Sequence, residues 1–242
     1  MKKFIAISDL HGTLPEIKEE ADILLIAGDI MPLQTQRDME ESEMWFKDSF
    51  LPWTDSLPIK YVVLVGGNHD FWLERESDKV KELCIGKKVE YLVNEYRVYA
   101  FRGGDVYAIL GTPLCKPFGR WAFMKNYDEQ RNILKEFMGD TKEKLIEENG
   151  FPYISTILLT HDAPYGCSDV LLDTSCSWYT PEHLGNQVLR ELVEGMKPDV
   201  HIHGHLHSTN HEVEKIGETC VYNVSLLGED YKEQYQPLVF SL

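Results

Sequence analysis

The stretch Phe4-Ile5-Ala6-Ile7-Ser8-Asp9-Leu10-His11-Gly12 sets the grammar of this chain. A short, uninterrupted apolar run breaks abruptly into small, polar and metal-capable residues. The same grammar returns at Ile23-Leu24-Leu25-Ile26-Ala27-Gly28-Asp29 and at Tyr61-Val62-Val63-Leu64-Val65-Gly66-Gly67-Asn68-His69-Asp70. Runs of this kind suit strands buried on both faces, as in a parallel sheet. Helical patterns over Arg37 to Phe50 and Glu74 to Cys84 alternate with them, which predicts an α/β architecture. Ligands of parallel sheets collect at the carboxyl ends of the strands, where the polar residues stand.

The second half repeats the pattern less regularly. Tyr96 to Phe101 and Val106 to Leu110 read as strands joined across Gly103-Gly104. A loop from Thr112 to Lys125 and an amphipathic helix from Tyr127 to Asn149 follow. Ile154 to Leu159 is a buried strand ending in Thr160-His161-Asp162. A helix from Pro181 to Met196 leads into Val200 to His203 and then Gly204-His205-Leu206-His207. The segments His211 to Ile216, Thr219 to Val224 and Leu238 to Leu242 read as short meandering strands. With neither repeat nor linker, residues 1–242 are expected to form a single domain.

Composition narrows the function. Acidic residues number 40 against 24 basic ones, a net charge of −16. Such a chain repels polyanions at long range, so nucleic acid and anionic membranes are poor partners. The apolar run Phe4 to Ile7 falls short of the about 7–15 residues of a secretory leader. Five scattered cysteines (Cys84, Cys115, Cys167, Cys176, Cys220) without C-x-x-C spacing suit reduced thiols. A cytoplasmic location is therefore expected.

Collected from the strand ends, the candidate ligands are Asp9, His11, Asp29, Asn68, His69, His161, His205 and His207. All donate oxygen or imidazole nitrogen and none is a thiol, a set that suits manganese, iron or zinc. Asp9 and His11, like His205 and His207, are two residues apart. On an extended strand each pair would point to one side and serve one metal region. His201 and His203 share that period but lie inside the apolar strand, where buried, hydrogen-bonded roles are expected. The aromatic residues Trp45, Phe46, Phe50 and Trp53 are expected in the core, and Lys116 and Arg120 in a solvated loop.

These residues resemble the calcineurin-like metallophosphoesterases. The five motif blocks of that family are matched in order by Asp9-x-His11, Gly28-Asp29, Gly67-Asn68-His69-Asp70, His161 and Gly204-His205-x-His207. The resemblance implies two stacked mixed β-sheets flanked by helices, a four-layer α/β/β/α sandwich. It further implies two divalent metal ions, manganese first among them. Asp9, His11, Asp29 and His207 would hold one, and Asp29, Asn68, His161 and His205 the other, with Asp29 as the bridge. A metal-bridging hydroxide would attack a small phosphate ester. His69 would stabilise the transition state or protonate the leaving oxygen, with Asp70 holding its ring. Asp29 is followed by Ile30-Met31-Pro32 rather than the Asp-Arg of the Ser/Thr protein phosphatases. The chain looks closer to the small bacterial branch and its animal relatives that favour phosphodiesters. A phosphomonoesterase, a nuclease and a catalytically silent scaffold are the alternatives.

Overall fold

Alternation along the first strand creates two cores. In β1 (Lys3–Ile7), Phe4 and Ala6 face one apolar layer while Ile5 and Ile7 face another. The neighbouring strands β2 (Ala21–Ala27) and β3 (Ile59–Val65) divide their side chains the same way. In the computed structural model, which describes residues 1–139, 141–171 and 182–242, these strands belong to the first of two facing sheets.

The remaining strands are β4 (Val89–Tyr91), β5 (Glu95–Ala100), β6 (Val106–Thr112), β7 (Ser155–Thr160), β8 (Val200–His203), β9 (Glu214–Ile216), β10 (Thr219–Asn223) and β11 (Leu238–Ser241). The first sheet runs β11-β1-β2-β3-β4, parallel except for β11. The second runs β5-β6-β7-β8-β10-β9, with β5 and β9 antiparallel to their neighbours. Phe4, Ile23, Leu25 and Val63 meet Tyr107, Ile109, Ile157, Leu159 and Ile202 between the sheets.

Helices seal the outer faces. On the first sheet lie α1 (Met39–Trp45), α2 (Leu51–Ser56), α3 (Phe71–Arg75) and α4 (Ser77–Cys84). Over the second lie α5 (Tyr127–Leu134), α6 (Thr141–Asn149) and α7 (Gln187–Met196). The four-layer sandwich implied by the sequence is the observed fold, and the expected core role holds for Phe46 and Phe50, which are fully buried. Among the described residues no helix is long and apolar enough to cross a membrane.

Element boundaries depart from the sequence reading for local reasons. The helix expected to stop at Phe50 continues to Ser56 through one wide turn, Phe46–Phe50, in which Leu51 N–H reaches back to Phe46 O. Pro52 has no N–H and its ring crowds the carbonyl four residues earlier; a widened turn relieves both conflicts. The continuous helix expected over Tyr127 to Asn149 is two helices, because Leu134 and Phe137 pack under α7 whereas Leu145 packs beside Val106 and Ile154. Gly139, a poor helix former, lies at the break. The helix expected from Pro181 begins at Gln187, where the Asn186 side chain accepts from Val188 N–H and Leu189 N–H; Pro181 and Cys176 lie outside the described residues.

Phe4 stacks on Phe240 and meets Tyr107 edge-on, both at 5.1 Å, within the inter-sheet layer. Phe4→Ala is expected to cost about 3–5 kcal/mol in urea unfolding, while Tyr153→Ala, at an exposed ring, stays within about 0.5 kcal/mol. Equal costs would contradict this layering.

Candidate metal centre

Parallel strands of both sheets end at one edge, and their backbones turn sharply there. Asp9, His11, Asp29 and His205 adopt left-handed conformations (φ 56°, 43°, 53° and 71°). Such angles are uncommon outside glycine and concentrate at functional sites. Asp9 and His11 therefore converge through a turn, not through strand alternation as the spacing suggested. Asp9 N–H donates to Gly28 O and His11 N–H to Asp29 O, clamping the two strand ends side by side. Two glycines permit the approach: a Cβ on Gly67 would lie 2.2 Å from Asp29 Oδ1, and one on Gly204 would lie 2.3 Å from Asp9 Oδ2.

Asp29 is the centre of the cluster. Its Oδ1 accepts from His69 N–H at 2.7 Å. Its Oδ2 faces three imidazoles, with His161 Nε2 at 3.3 Å, His11 Nε2 at 3.8 Å and His69 Nε2 at 4.0 Å. Asp9 Oδ1 lies 3.2 Å from His207 Nε2, and its Oδ2 accepts from Ser225 Oγ and His205 N–H at 2.7 and 3.0 Å. Asn68 Oδ1 is 2.9 Å from His161 Nε2. His161 Nδ1 donates to Ala27 O and His207 Nδ1 to Gly228 O, so both rings present Nε2 to the site.

The donor atoms form three overlapping groups: Asp9, His11 and His207; His11, Asp29 and His69; Asp9, Asp29 and His161. His205 and His207 split between the two sides, contrary to the i, i+2 expectation. The His207 ring lies 5.6 Å from His11, the His205 ring 5.0 Å from His161. Both ring nitrogens of His11 are buried without a hydrogen-bond partner. An orphaned buried polar atom is costly and calls for a ligand, and with carboxylates and imidazoles converging nearby, the residues fit divalent cations. His201 and His203 are buried and hydrogen-bonded as expected, to Thr160 Oγ1 and Gly204 O. Each leaves one nitrogen unpaired, but neither joins a donor group among the described residues.

Asp70 is not where the resemblance implied. Its carboxylate accepts from Ile30 N–H, Met31 N–H and Gly67 N–H at 3.0, 3.0 and 2.8 Å. Sited at the start of α3, it is turned beneath the strand ends, where it braces the backbone around Asp29 rather than the His69 ring. Gln36 Oε1 takes His69 Nδ1 instead. Gln36 and Ser225 carry no motif, so sequence reasoning missed them. Of the rim, sequence reasoning reached the Thr112 to Lys125 loop but not Tyr231. The Trp121 ring lies 4.5 Å from His69, Tyr231 lies edge-on to His11 at 5.0 Å, and Phe118 lies 5.3 Å from His205. Lys116 serves to anchor its loop, through its N–H to Asp162 Oδ2 and its ammonium to Gly185 O. Arg120 O accepts from the Arg37 guanidinium.

Burial opposes charge on every group here, and pairing decides which groups keep it. Burial disfavours a charged His161 ring, yet the Asp29 carboxylate beside it pushes the pKa up to about 10. Asp9 does the same for His207, up to about 9 against the cost of burial. Asp9 and Asp29 resist desolvation through these imidazoles and stay below the usual carboxylate range. In His11 and His205 burial wins, bringing them down to about 4 and about 3. Burial and the Asp29 charge push Asp70 up to about 7. Protons on His161 and His207 thus hold the place of positive charge beside Asp29 and Asp9.

Comparison with known proteins agrees with this geometry. The family profile of the calcineurin-like phosphoesterases matches residues 2–209. The chain belongs to that family. It is 24% identical over 267 residues to human metallophosphoesterase domain-containing protein 1, covering 99% of this chain and 71% of that protein. It is 25% identical over 211 residues to the probable rhamnogalacturonate lyase C of Emericella nidulans, covering 85% of this chain but only 17% of that far longer protein. Among solved structures, a dimetal phosphatase from Danio rerio shares the fold at a TM-score of 0.52 and 14% identity, covering 94% of this chain and 87% of that one. This member of the family therefore carries a candidate divalent-metal site at the carboxyl edge of its sheets.

The pKa directions predict the proton balance. Above the ordinary histidine value of 6.5, the metal-free fold holds protons on His207 and His161 that the unfolded chain has lost. Their contribution to stability is complete below that value and disappears as pH rises through about 9 and about 10. Loading divalent cations at pH 7.5 is expected to release about two protons per chain, measured by calorimetry in buffers of different ionisation enthalpy. Uptake without proton release would show that these two histidines are not protonated in the metal-free protein.

Proposed function

We propose that this calcineurin-like phosphoesterase hydrolyses small phosphodiesters at a dinuclear centre. The observation that carries the reading is Asp29 Oδ2, buried and facing His11, His69 and His161 at 3.3–4.0 Å, as a carboxylate shared between two cations requires. Asp9, His11, Asp29 and His207 would hold one cation, and Asp29, Asn68, His161 and His205 would hold the other. Manganese suits this mixture of nitrogen and oxygen donors, and iron or zinc would be accepted by the same set. When bound, two divalent ions supply Lewis acidity and bring the pKa of water toward neutrality.

The protein's own groups do the rest. Asp9 and Asp29 provide the negative charge, and Ala27 O and Gly228 O keep His161 and His207 in the ligating tautomer. Asp70 holds the strand ends in register. His69, whose Nε2 faces the same space, moves a proton to the leaving oxygen. With two carboxylates against two divalent ions the loaded site is net positive and attracts a phosphate ester despite the chain's charge of −16. That overall charge favours a small substrate over nucleic acid or a membrane surface. Desolvation pushes the buried thiols of Cys84 and Cys167 up to about 12, inert groups that fit a reducing cytoplasm.

Metal-stripped protein refilled with manganese is expected to hydrolyse a nitrophenyl phosphodiester in preference to the matching monoester; a reversed preference would make it a phosphatase. Asp29→Asn is expected to lower the bound metal from two ions to fewer than one by elemental analysis. A full complement in that variant would remove Asp29 from the bridging position.

A further inference from the structure

The stretch from Ile30 to Asp38, ahead of α1, carries no family motif, yet it sends one side chain into the site. Thr35 N–H and Gln36 N–H both donate to Pro32 O, at 3.1 and 2.9 Å, and Ser42 Oγ donates to Thr35 O at 3.0 Å. This tight turn fixes Gln36 beside His69. The Gln36 Nε2 amide donates to Leu33 O at 3.0 Å. Since that carbonyl can only accept, the orientation of the Gln36 amide is decided, and its Oε1 is left facing His69 Nδ1. An amide oxygen can only accept as well. His69 Nδ1 therefore carries the hydrogen, and in the neutral ring Nε2 is the bare nitrogen directed toward Asp29 and the site.

The other contacts of the ring fix its plane but not its tautomer. Trp121 lies over it at 4.5 Å with a 37° tilt, and His11 meets it edge-on at 4.8 Å. Gln36 makes the only hydrogen bond to the ring among the described residues. Arg37, next in sequence, sits over Phe71 and Trp121 at 4.3 and 4.9 Å, so the turn and the Trp121 loop brace each other around His69.

We propose that Gln36 is the positioning residue for His69: by accepting the Nδ1 hydrogen it leaves Nε2 as the nitrogen that takes up a proton from solvent, gives it to the leaving oxygen of the phosphoester and returns the ring to its neutral Nδ1–H form. This rests on the phosphodiesterase reading above for the identity of the reaction, though not for the geometry. A neutral amide here orients the ring without adding a second negative charge beside Asp29, whereas a carboxylate would add one.

The test has two readouts. In metal-free protein labelled with 15N-histidine, NMR at a pH where the His69 ring is neutral is expected to show the hydrogen on Nδ1, and Gln36→Ala to lose that preference. In the manganese-loaded enzyme, Gln36→Ala is expected to lower kcat about 10–100-fold for a diester with an alkyl leaving group. KM and metal content stay near wild type, and the loss is smaller for a nitrophenyl diester, whose leaving group needs little protonation. Gln36→Glu, which keeps an acceptor at Nδ1, should recover part of the loss. In a His69→Ala background, Gln36→Ala should cost nothing more. An Nε2–H tautomer in the wild type overturns the proposal, as does a Gln36→Ala loss that persists undiminished without His69. A Gln36-dependent tautomer in a protein that cleaves no phosphoester would uphold the positioning role and refute the phosphodiesterase reading.

Discussion

Two carboxylates, Asp9 and Asp29, are buried at the junction of two sheets, and a buried charge without a partner costs several kcal/mol. The rest of the site answers that constraint. His161 and His207 stay protonated beside them, Ser225 and backbone N–H groups complete their hydrogen bonding, and His11 waits with both nitrogens unpaired. A site that binds protons so firmly is one that divalent cations can occupy by exchange, since they bring the same positive charge to the same carboxylates.

That arrangement explains the distribution of strain. Four left-handed residues and two glycines without room for a side chain crowd the strand ends. The inter-sheet core holds this geometry, with Phe4 and Ala6 locking β1 against Tyr107 and Ile157 just ahead of the turn at Asp9. Ser8 adds a bridge to Ser225, so the two sheets meet directly beneath the ligands. Asp70 gives its carboxylate to three amides around Asp29. Tertiary packing thus maintains the local distortion that a solvated loop could not keep.

A fold does not by itself choose a substrate, and the side chains around this opening come from loops. Phe118 and Tyr231, half and 44% exposed, stand on opposite sides of the histidine cluster, Phe118 by His205 and Tyr231 by His11. With Trp121 they give the opening apolar walls around a polar floor. The turn that carries Gln36 belongs to the same rim and reaches the ring of His69.

The order of most strands and helices and the set of ligand types were legible in the sequence from local causes, apolar runs of strand length and abrupt polar breaks. The stacking of two sheets came only from the resemblance carried by five ordered motif blocks. The break between α5 and α6, the passage of the helix through Pro52 and the existence of the three-residue β4 were not legible, because packing partners far along the chain decided them. The partnerships within the site were hidden for the same reason. Asp70 follows His69 in sequence, yet its carboxylate is spent on the backbone of Asp29's turn, while Gln36, 33 residues earlier, takes the ring. His205 and His207, neighbours by spacing, face opposite sides because one of them turns left-handed. Which residues can ligate is a property of their chemistry and was readable at once; which atom each one faces depends on backbone turns and long-range packing that exist only in the folded chain.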